Sequence, residues 1–186
     1  MIQGLAALVQ QPRPAWKREP RVLLCPNIPK PMHGVAPRVV LGQAWWDNER
    51  EQACRSTDNH CIACGVSKLM AQWQRWLEGH ELYETNYSAG RMVYLRTVPL
   101  CHFCHNFIHS GRLRTLLERG KVTNNKYGAV IKHGDAVLKQ AKLRKPKPWD
   151  GPIAEWGAWR LVIGTKEFPP LYKDFEAWLA AMEAKT

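Results

Sequence analysis

Two pairs of cysteines with the spacing of a metal site stand out in this sequence. Cys61 and Cys64 form one Cys-x2-Cys, and Cys101 and Cys104 form a second, with 36 residues between the pairs. Two intervening residues let both thiolates of a pair turn onto one ion, and four thiolates make the closed tetrahedral site that suits zinc. We therefore predict a structural Zn²⁺ on these four cysteines. Disulfides or free thiols are the alternatives.

The other two cysteines, Cys25 and Cys54, have no such spacing and are predicted to be ordinary thiols. A disulfide framework would require an oxidising compartment. The apolar segment 1–9 has neither a basic leader nor a cleavage site, so we predict no export signal and a cytoplasmic location. No apolar run approaches the ~20 residues of a membrane span.

Three histidines form a second set of potential metal ligands. His105 and His109 are one helical turn apart, so their imidazoles can point the same way and bind one cation. His80 lies in a segment expected to face that helix. Three nitrogens on one ion leave positions open for water and substrate, as a catalytic metal site requires. The alternative is that these histidines are incidental polar residues near the zinc.

The elements that must position these ligands follow from local patterns. We predict strands over 82–87 and 91–98, joined by a hairpin turn at 88–90. A helix over 104–109 would carry two of the histidines, and Ser110-Gly111 would interrupt it. A second, amphipathic helix over 112–119 would end at Gly120.

The flanking segments are less regular. Proline density over 10–40 forbids long helices and predicts an extended arm, with a disordered tail as the alternative. A short helix is expected over 42–54. The segment 67–77 is either one helical face or a loop that leads into a strand at Leu77. We divide the chain into a proline-rich arm and short helix (1–53), a metal-binding core (54–122), and a basic helix with a C-terminal extension (123–186).

The C-terminal extension combines basic and tryptophan-rich stretches. A helix is predicted within 124–145, followed by a Lys-Pro linker at 145–148, a strand at 161–163 and a closing helix at 175–182. The segment 132–147 carries six lysines and arginines against one acid. A solvated helix face is the alternative to a binding surface for that segment.

The charge of the chain favours a polyanionic partner. The formal net charge is +11 over 186 residues, and nucleic acid is the commonest partner of so basic a protein. Lysine and arginine contacts to phosphates position a duplex without reading its sequence. The predicted phosphate contacts are Arg112, Arg114, Arg119, Lys139, Lys142 and Arg144.

The cysteine and histidine segments together resemble the HNH endonuclease family, the ββα-metal nucleases. The resemblance covers residues 61 to about 111. The segments that carry it are Cys61-Ile62-Ala63-Cys64-Gly65, Leu77-Glu78-Gly79-His80-Glu81-Leu82 and Leu100-Cys101-His102-Phe103-Cys104-His105-Asn106-Phe107-Ile108-His109. A weaker likeness to phage-encoded members lies in Ile28-Pro29-Lys30-Pro31, Pro37-Arg38 and Trp45-Trp46, and would place the protein in the host cytoplasm.

The resemblance implies an α+β fold, with a ββα-metal core held together by a zinc site of four cysteines. It implies that His80 binds the catalytic cation together with His105 and His109, and that Glu81 stands where the family has its general base. That base is usually histidine, and an unperturbed glutamate is a weak base at neutral pH. The reverse assignment, with Glu81 as ligand and His80 as base, stays open.

A second departure concerns the asparagine that names the family. It normally lies on the second strand and orients the base, and the matching place here is near Arg96 and Thr97. Asn106 is predicted on the helix and is not that residue. The orienting role has then moved, or activity is reduced.

The function implied is hydrolysis of phosphodiester bonds in double-stranded DNA by a metal-dependent endonuclease with a single divalent cation. That cation would be Mg²⁺, Mn²⁺, Ni²⁺ or Zn²⁺, and imidazole ligands favour a transition ion. No membrane and no small-molecule substrate are expected. The alternative is a catalytically weak or inactive DNA-binding or inhibitor protein on the same scaffold, and a third interpretation is an RNA-binding zinc module.

Overall fold

The computed structural model describes residues 16–184, and over this range the chain is a mixed α+β protein with a four-stranded sheet and six α-helices. This confirms the predicted α+β class. The strands are β1 (Glu78–Asn86), β2 (Arg91–Leu100), β3 (Arg160–Ile163) and β4 (Lys166–Phe168). The helices are α1 (Pro37–Leu41), α2 (Gln43–Ser56), α3 (His102–Ile108), α4 (Ser110–Glu118), α5 (Asn124–Gln140) and α6 (Phe175–Glu183).

A β-hairpin followed at once by a helix forms the centre of the molecule. Strands β1 and β2 pair antiparallel, with Glu78 opposite Leu100 and His80 opposite Val98. The first strand begins four residues before the predicted start at 82. Its Glu-Gly-His-Glu start has weak strand propensity, and pairing with the apolar end of β2 overrides that local preference.

The last third of the chain extends the same sheet. Strand β3 lies parallel to the start of β2 and β4 lies antiparallel to β3, so the order is β1-β2-β3-β4 and β1 is an outer strand. A small second core lies at this end, built from Met32, Met92, Trp159 and Leu161, among others. The predicted strand at 161–163 and helix at 175–182 correspond to β3 and α6.

The main core joins the hairpin, the cysteine pairs and helices α3 and α5. Leu100, Cys104 and Val130 are completely buried, and Phe107 packs among them. Helix α5 approaches α3 closely at Gly134, where a Cβ would lie 2.1 Å from the Phe107 ring. The close packing of these two helices therefore requires glycine at position 134.

We expect Gly134→Ala to lower the free energy of unfolding by about 1–3 kcal/mol, because the new methyl would overpack against the buried Phe107 ring. Gly128→Ala on the same helix is the matched control, since a Cβ there meets nothing within 4 Å. Helix propensity alone should stabilise that control by up to about 1 kcal/mol. Urea unfolding of both variants measures the difference. Equal stabilisation by the two alanines would contradict the packing argument.

The proline-rich segment differs from the sequence prediction within the described residues. Instead of an extended arm or a disordered tail, 16–41 forms two 3-10 turns, Pro20–Leu24 and Lys30–Met32, and the short helix α1. Each begins with a proline in its first turn, where the missing N–H has no intrahelical partner to lose. Val22 and Leu23 are buried in the main core. Residues 10–15 of the predicted arm lie outside the described range.

Three other local predictions are corrected or settled. The segment 67–77 is a loop with one 3-10 turn at Lys68–Met70, so its helical alternative is wrong. The break after α3 falls at His109 (φ −89°, ψ 33°), and Ser110-Gly111 already belongs to α4. Helix α5 ends at Gln140, and residues 141–155 are irregular. Within 16–184, no helix is both long and apolar enough to cross a membrane.

Candidate metal centres

The four cysteines of the two pairs converge on one point. Their Sγ atoms lie within 4.8 Å of one another, and Cys61 and Cys104 are completely buried. The first pair sits in a tight turn that Gly65 closes with a φ of 82°, a conformation that favours glycine. The second pair spans the end of β2 and the first turn of α3. Cys61, Cys64, Cys101 and Cys104 could hold a metal ion such as zinc.

Hydrogen bonds within the cluster affect its two cysteine pairs in opposite directions. Those from the thiols of Cys101 and Cys104 lower the pKa of Cys61 and Cys64, and hydrogen bonding within the cluster raises the pKa of Cys101 and Cys104. Deprotonated sulfur is the form that binds metal. His133 on α5 adds a contact of 3.3 Å between its Nε2 and Cys104 Sγ. Sequence reasoning missed His133, because nothing local shows that α5 packs against the second cysteine pair.

The two remaining cysteines lie outside this cluster. Burial raises the pKa of Cys25 to about 11 and also raises the pKa of Cys54. Both thiols are therefore protonated at neutral pH, and neither belongs to the cysteine cluster.

A separate cluster contains the three predicted histidine ligands. Their candidate ligand atoms also lie within 4.8 Å of one another. The His80 ring on β1 is 5.5 Å from the His105 ring and 5.1 Å from the His109 ring, centroid to centroid. The His105 and His109 rings are 4.7 Å apart, as expected for neighbours on one helical face. The tertiary fold thus brings together three residues that are up to 29 positions apart in sequence.

Burial keeps the imidazoles of His80 and His109 in the form that binds cations. It lowers the pKa of His80 to about 3 and of His109 to about 4, and neighbouring His105 adds to both shifts. A neutral imidazole has a free lone pair for metal. His80 is 6% exposed, and its Nδ1 is buried without a hydrogen-bond partner among the described residues. A buried ring nitrogen without a partner, on a histidine packed against two other imidazoles, fits a cation site.

Glu78 orients one of these ligands, and the sequence analysis missed it. Its carboxylate accepts a 2.8 Å hydrogen bond from Nδ1 of His105 and another from Nδ1 of His102. Burial alone would raise the pKa of Glu78, but these two donors and their charge lower it to about 2. A carboxylate on Nδ1 leaves Nε2 of His105 free to bind metal and fixes the ring. The available signal was the Glu-x-His spacing, which places Glu78 and His80 on one strand face.

Glu81 lies on the other face of β1. Successive strand residues point to opposite sides, and Glu81 pairs in register with Thr97. The Thr97 hydroxyl bonds to Tyr94, whose hydroxyl in turn donates to Glu49 of α2. One oxygen of the Glu81 carboxylate is buried without a partner in the described part of the chain. His80 and Glu81 therefore flank the open edge of β1 from its two faces.

The remaining predicted positions lie as follows. Thr97, one of the two residues near which the resemblance expects an asparagine, lies opposite Glu81, and Asn106 lies on α3, donating to the His102 carbonyl. The predicted phosphate contacts are all exposed. They lie on α4 and its end (Arg112, Arg114, Arg119), at the end of α5 (Lys139) and in the segment after it (Lys142, Arg144).

Two metal-type clusters therefore lie on one hairpin-helix unit. The cysteine cluster joins the loop before the hairpin to the start of α3, and the histidine cluster lies between β1 and the end of the same helix. Comparison of the chain with protein-family models, with curated proteins and with solved structures finds no match in any of the three.

Proposed function

We propose that the protein is a metal-dependent DNA endonuclease that hydrolyses phosphodiester bonds with one divalent cation bound by His80, His105 and His109. The observation that carries the proposal is the convergence of these three imidazoles beside a separate four-cysteine cluster. Four sulfurs can close a structural zinc site, whereas three nitrogens leave positions for water and a phosphate oxygen. A hairpin followed by a helix is also the order of elements that the HNH resemblance implies.

The chain supplies distinct groups for the reaction. A cation in the histidine site would neutralise charge on the scissile phosphate and stabilise the leaving oxygen. His80, His105 and His109 hold it, and Glu78 keeps the His105 ring in the binding tautomer. Glu81 takes the proton of the attacking water. A water at the open edge of β1 lies between the two faces of the strand. The cation bound by His80 and the carboxylate of Glu81 can then act on this water from opposite sides.

Two arginines support the edge of β1 as the place of the phosphate. The charges of both Arg38 and Arg112 contribute to the lowered pKa of His109, so both lie near that ring. The charge of Arg38 also acts on the pKa of Tyr83, on the other strand face. Its guanidinium packs over the Trp46 ring at 5.9 Å, which limits its freedom. A phosphate beside β1 would therefore meet positive charge from α1 and from α4.

The basic surface supports double-stranded DNA as the substrate. The charge of Arg112 acts on the nearby His109 ring. The other predicted phosphate contacts are exposed on α4, at the end of α5 and in the segment that follows it. Such contacts bind the backbone of any sequence and weaken steeply with salt.

The test is cleavage of supercoiled plasmid with Mg²⁺, Mn²⁺, Ni²⁺ or Zn²⁺ added singly. We expect nicked or linear product with at least one of these ions, and none with EDTA. His105→Ala should abolish the product, whereas His60→Ala should retain it, because His60 stacks on Trp16 outside the cluster. Intact plasmid with wild-type protein and every cation would overturn the nuclease proposal.

The second candidate is a catalytically weak or inactive DNA-binding or inhibitor protein on the same scaffold. The observation that favours it is the pair Glu81 and Thr97, which stand where the HNH family has histidine and asparagine. Such a protein would still bind DNA in a gel shift after His109→Ala. It would not cleave DNA, whether or not a divalent cation is added. Cleavage by the wild type that depends on His109 excludes it.

A further inference from the structure

A polar pocket lies beside the start of β1, on the side of α2. It has a volume of about 290 Å³ and is formed by α2, the turn at 59 and the loop 67–77. Its walls include Arg50, Arg55, Lys68, Asn59 and Trp76. We call it the Trp76 pocket. It shares no residue with either metal-type cluster.

The charges of this pocket suit an anion. Three cations line it against one carboxylate, Glu51, which is occupied by Arg55 at 3.2 Å. Arg50 reaches Asp47 only at 3.7 Å, on an exposed helix face where such a pair contributes little. Within residues 16–184, Lys68 has no carboxylate partner. A bound phosphate would give these groups a charge-assisted partner.

Trp76 offers a free aromatic surface in the same pocket. Its side chain is 51% exposed, and over the described part of the chain no ring or cation packs on it. The neighbouring Trp73 shows the contrast, since Phe103 lies 4.3 Å from its ring and the Lys126 ammonium covers it at 4.7 Å. Leu77, which follows Trp76, is 2% exposed and anchors the backbone. The exposed indole is thus held in place rather than left on a free loop.

The pocket lies close to the candidate catalytic centre. Trp76 precedes His80 by four residues. A chain spans at most ~3.3–3.6 Å per residue, so their Cα atoms are within about 14 Å. A B-form strand advances about 3.4 Å per nucleotide, and about four nucleotides therefore bridge the same distance. A strand whose phosphate reaches the edge of β1 can place a nearby nucleotide in the Trp76 pocket.

We propose that the Trp76 pocket binds one unstacked nucleotide of the substrate strand, with its base on the Trp76 indole and its phosphate against Lys68 and Arg50. The inference rests on the proposed nuclease function and adds a preference for DNA with an unpaired nucleotide near the cleavage site over fully paired DNA. Stacking on an aromatic side chain accepts every base. Asn59 lines the same pocket, and its amide, a donor and an acceptor, can add hydrogen bonds to the base edge.

The experiment is fluorescence anisotropy with two labelled duplexes, one intact and one with a three-nucleotide gap, and no added divalent cation. We expect the wild type to bind the gapped duplex at least about tenfold more tightly than the intact one, because base stacking on an aromatic ring contributes ~1–3 kcal/mol. Trp76→Ala should weaken gapped binding about 10- to 100-fold and leave intact binding unchanged, whereas Trp76→Phe should retain most of the affinity. Lys68→Ala should reduce the salt slope of log K by about one.

Matched controls are Trp149→Ala and Lys173→Ala. Trp149 is equally exposed at 52% but stacks on Tyr87 in the C-terminal part, and Lys173 is 84% exposed. Both should bind as the wild type does. Circular dichroism and zinc content verify that each variant is folded.

The outcomes separate this inference from the nuclease proposal. Unchanged gapped binding by Trp76→Ala, or equal losses in the controls, overturns the pocket even if the protein cleaves plasmid. A selective loss with Trp76→Ala, in a protein that leaves plasmid intact with every cation, keeps the pocket and overturns the nuclease. Failure of the wild type to bind either duplex overturns the pocket, and plasmid cleavage with added cation still decides the nuclease.

Discussion

Replacing Cys101 by serine is expected to abolish stable folding of the protein. Cys101 joins the end of β2 to α3, so its loss disconnects the cysteine cluster from the hairpin. Structural zinc sites contribute about 10–16 kcal/mol in zinc-finger peptides, and a whole domain is stable by only about 5–15 kcal/mol. Losing the site therefore removes most or all of the net stability. We expect about one zinc per wild-type chain and none in Cys101→Ser.

The matched control is Cys25→Ser, a thiol outside the cluster. It should keep its zinc, and its free energy of unfolding should lie within about 1 kcal/mol of the wild-type value, as for most substitutions away from the core. Metal analysis, circular dichroism and urea unfolding of the three proteins measure these differences. A soluble Cys101→Ser protein that unfolds at the wild-type urea concentration would show that the cysteine cluster does not hold the fold.

His80→Ala and Glu81→Gln should both stop DNA cleavage, but for different reasons. His80→Ala removes a buried cation ligand, so both cation binding and cleavage should fall to background. Glu81→Gln keeps the shape of the side chain and removes a proton acceptor. General bases contribute about 100- to 10,000-fold in rate, and we expect a loss in that range with cation affinity unchanged. Single-turnover cleavage and calorimetric titration with Ni²⁺ measure the two quantities.

Glu84→Gln on the exposed part of the same strand is the control and should behave as the wild type. Cleavage by Glu81→Gln at the wild-type rate would show that another group is the general base. Loss of cation binding in Glu81→Gln would make Glu81 a ligand and favour the reverse assignment, with His80 as the base. Retained cleavage by His80→Ala would remove the histidine cluster from the mechanism.

Local patterns predicted much of the secondary structure, because the signals are local in origin. The turn at 88–90 depends on Gly90, whose φ of 65° is unfavourable for other residues. Gly120, with φ 66°, ends α4 for the same reason. Boundaries failed where long-range pairing or packing decided them. The start of β1 depends on pairing with the end of β2, and the prolines of 16–41 start short helical turns packed against the core.

Residue types and spacing by themselves predicted most of the two sets of candidate metal ligands. In Cys-x2-Cys both sulfurs can reach one ion from a single turn, and in His-x3-His both rings lie on one helix face. The same patterns could not show that Glu78 contacts His105, that His133 reaches Cys104, or that Glu81 pairs with Thr97. Those contacts join elements far apart in the chain, and only strand register and helix packing set them. Likewise, only the sheet order makes β1 an outer strand, whose edge the proposed mechanism uses.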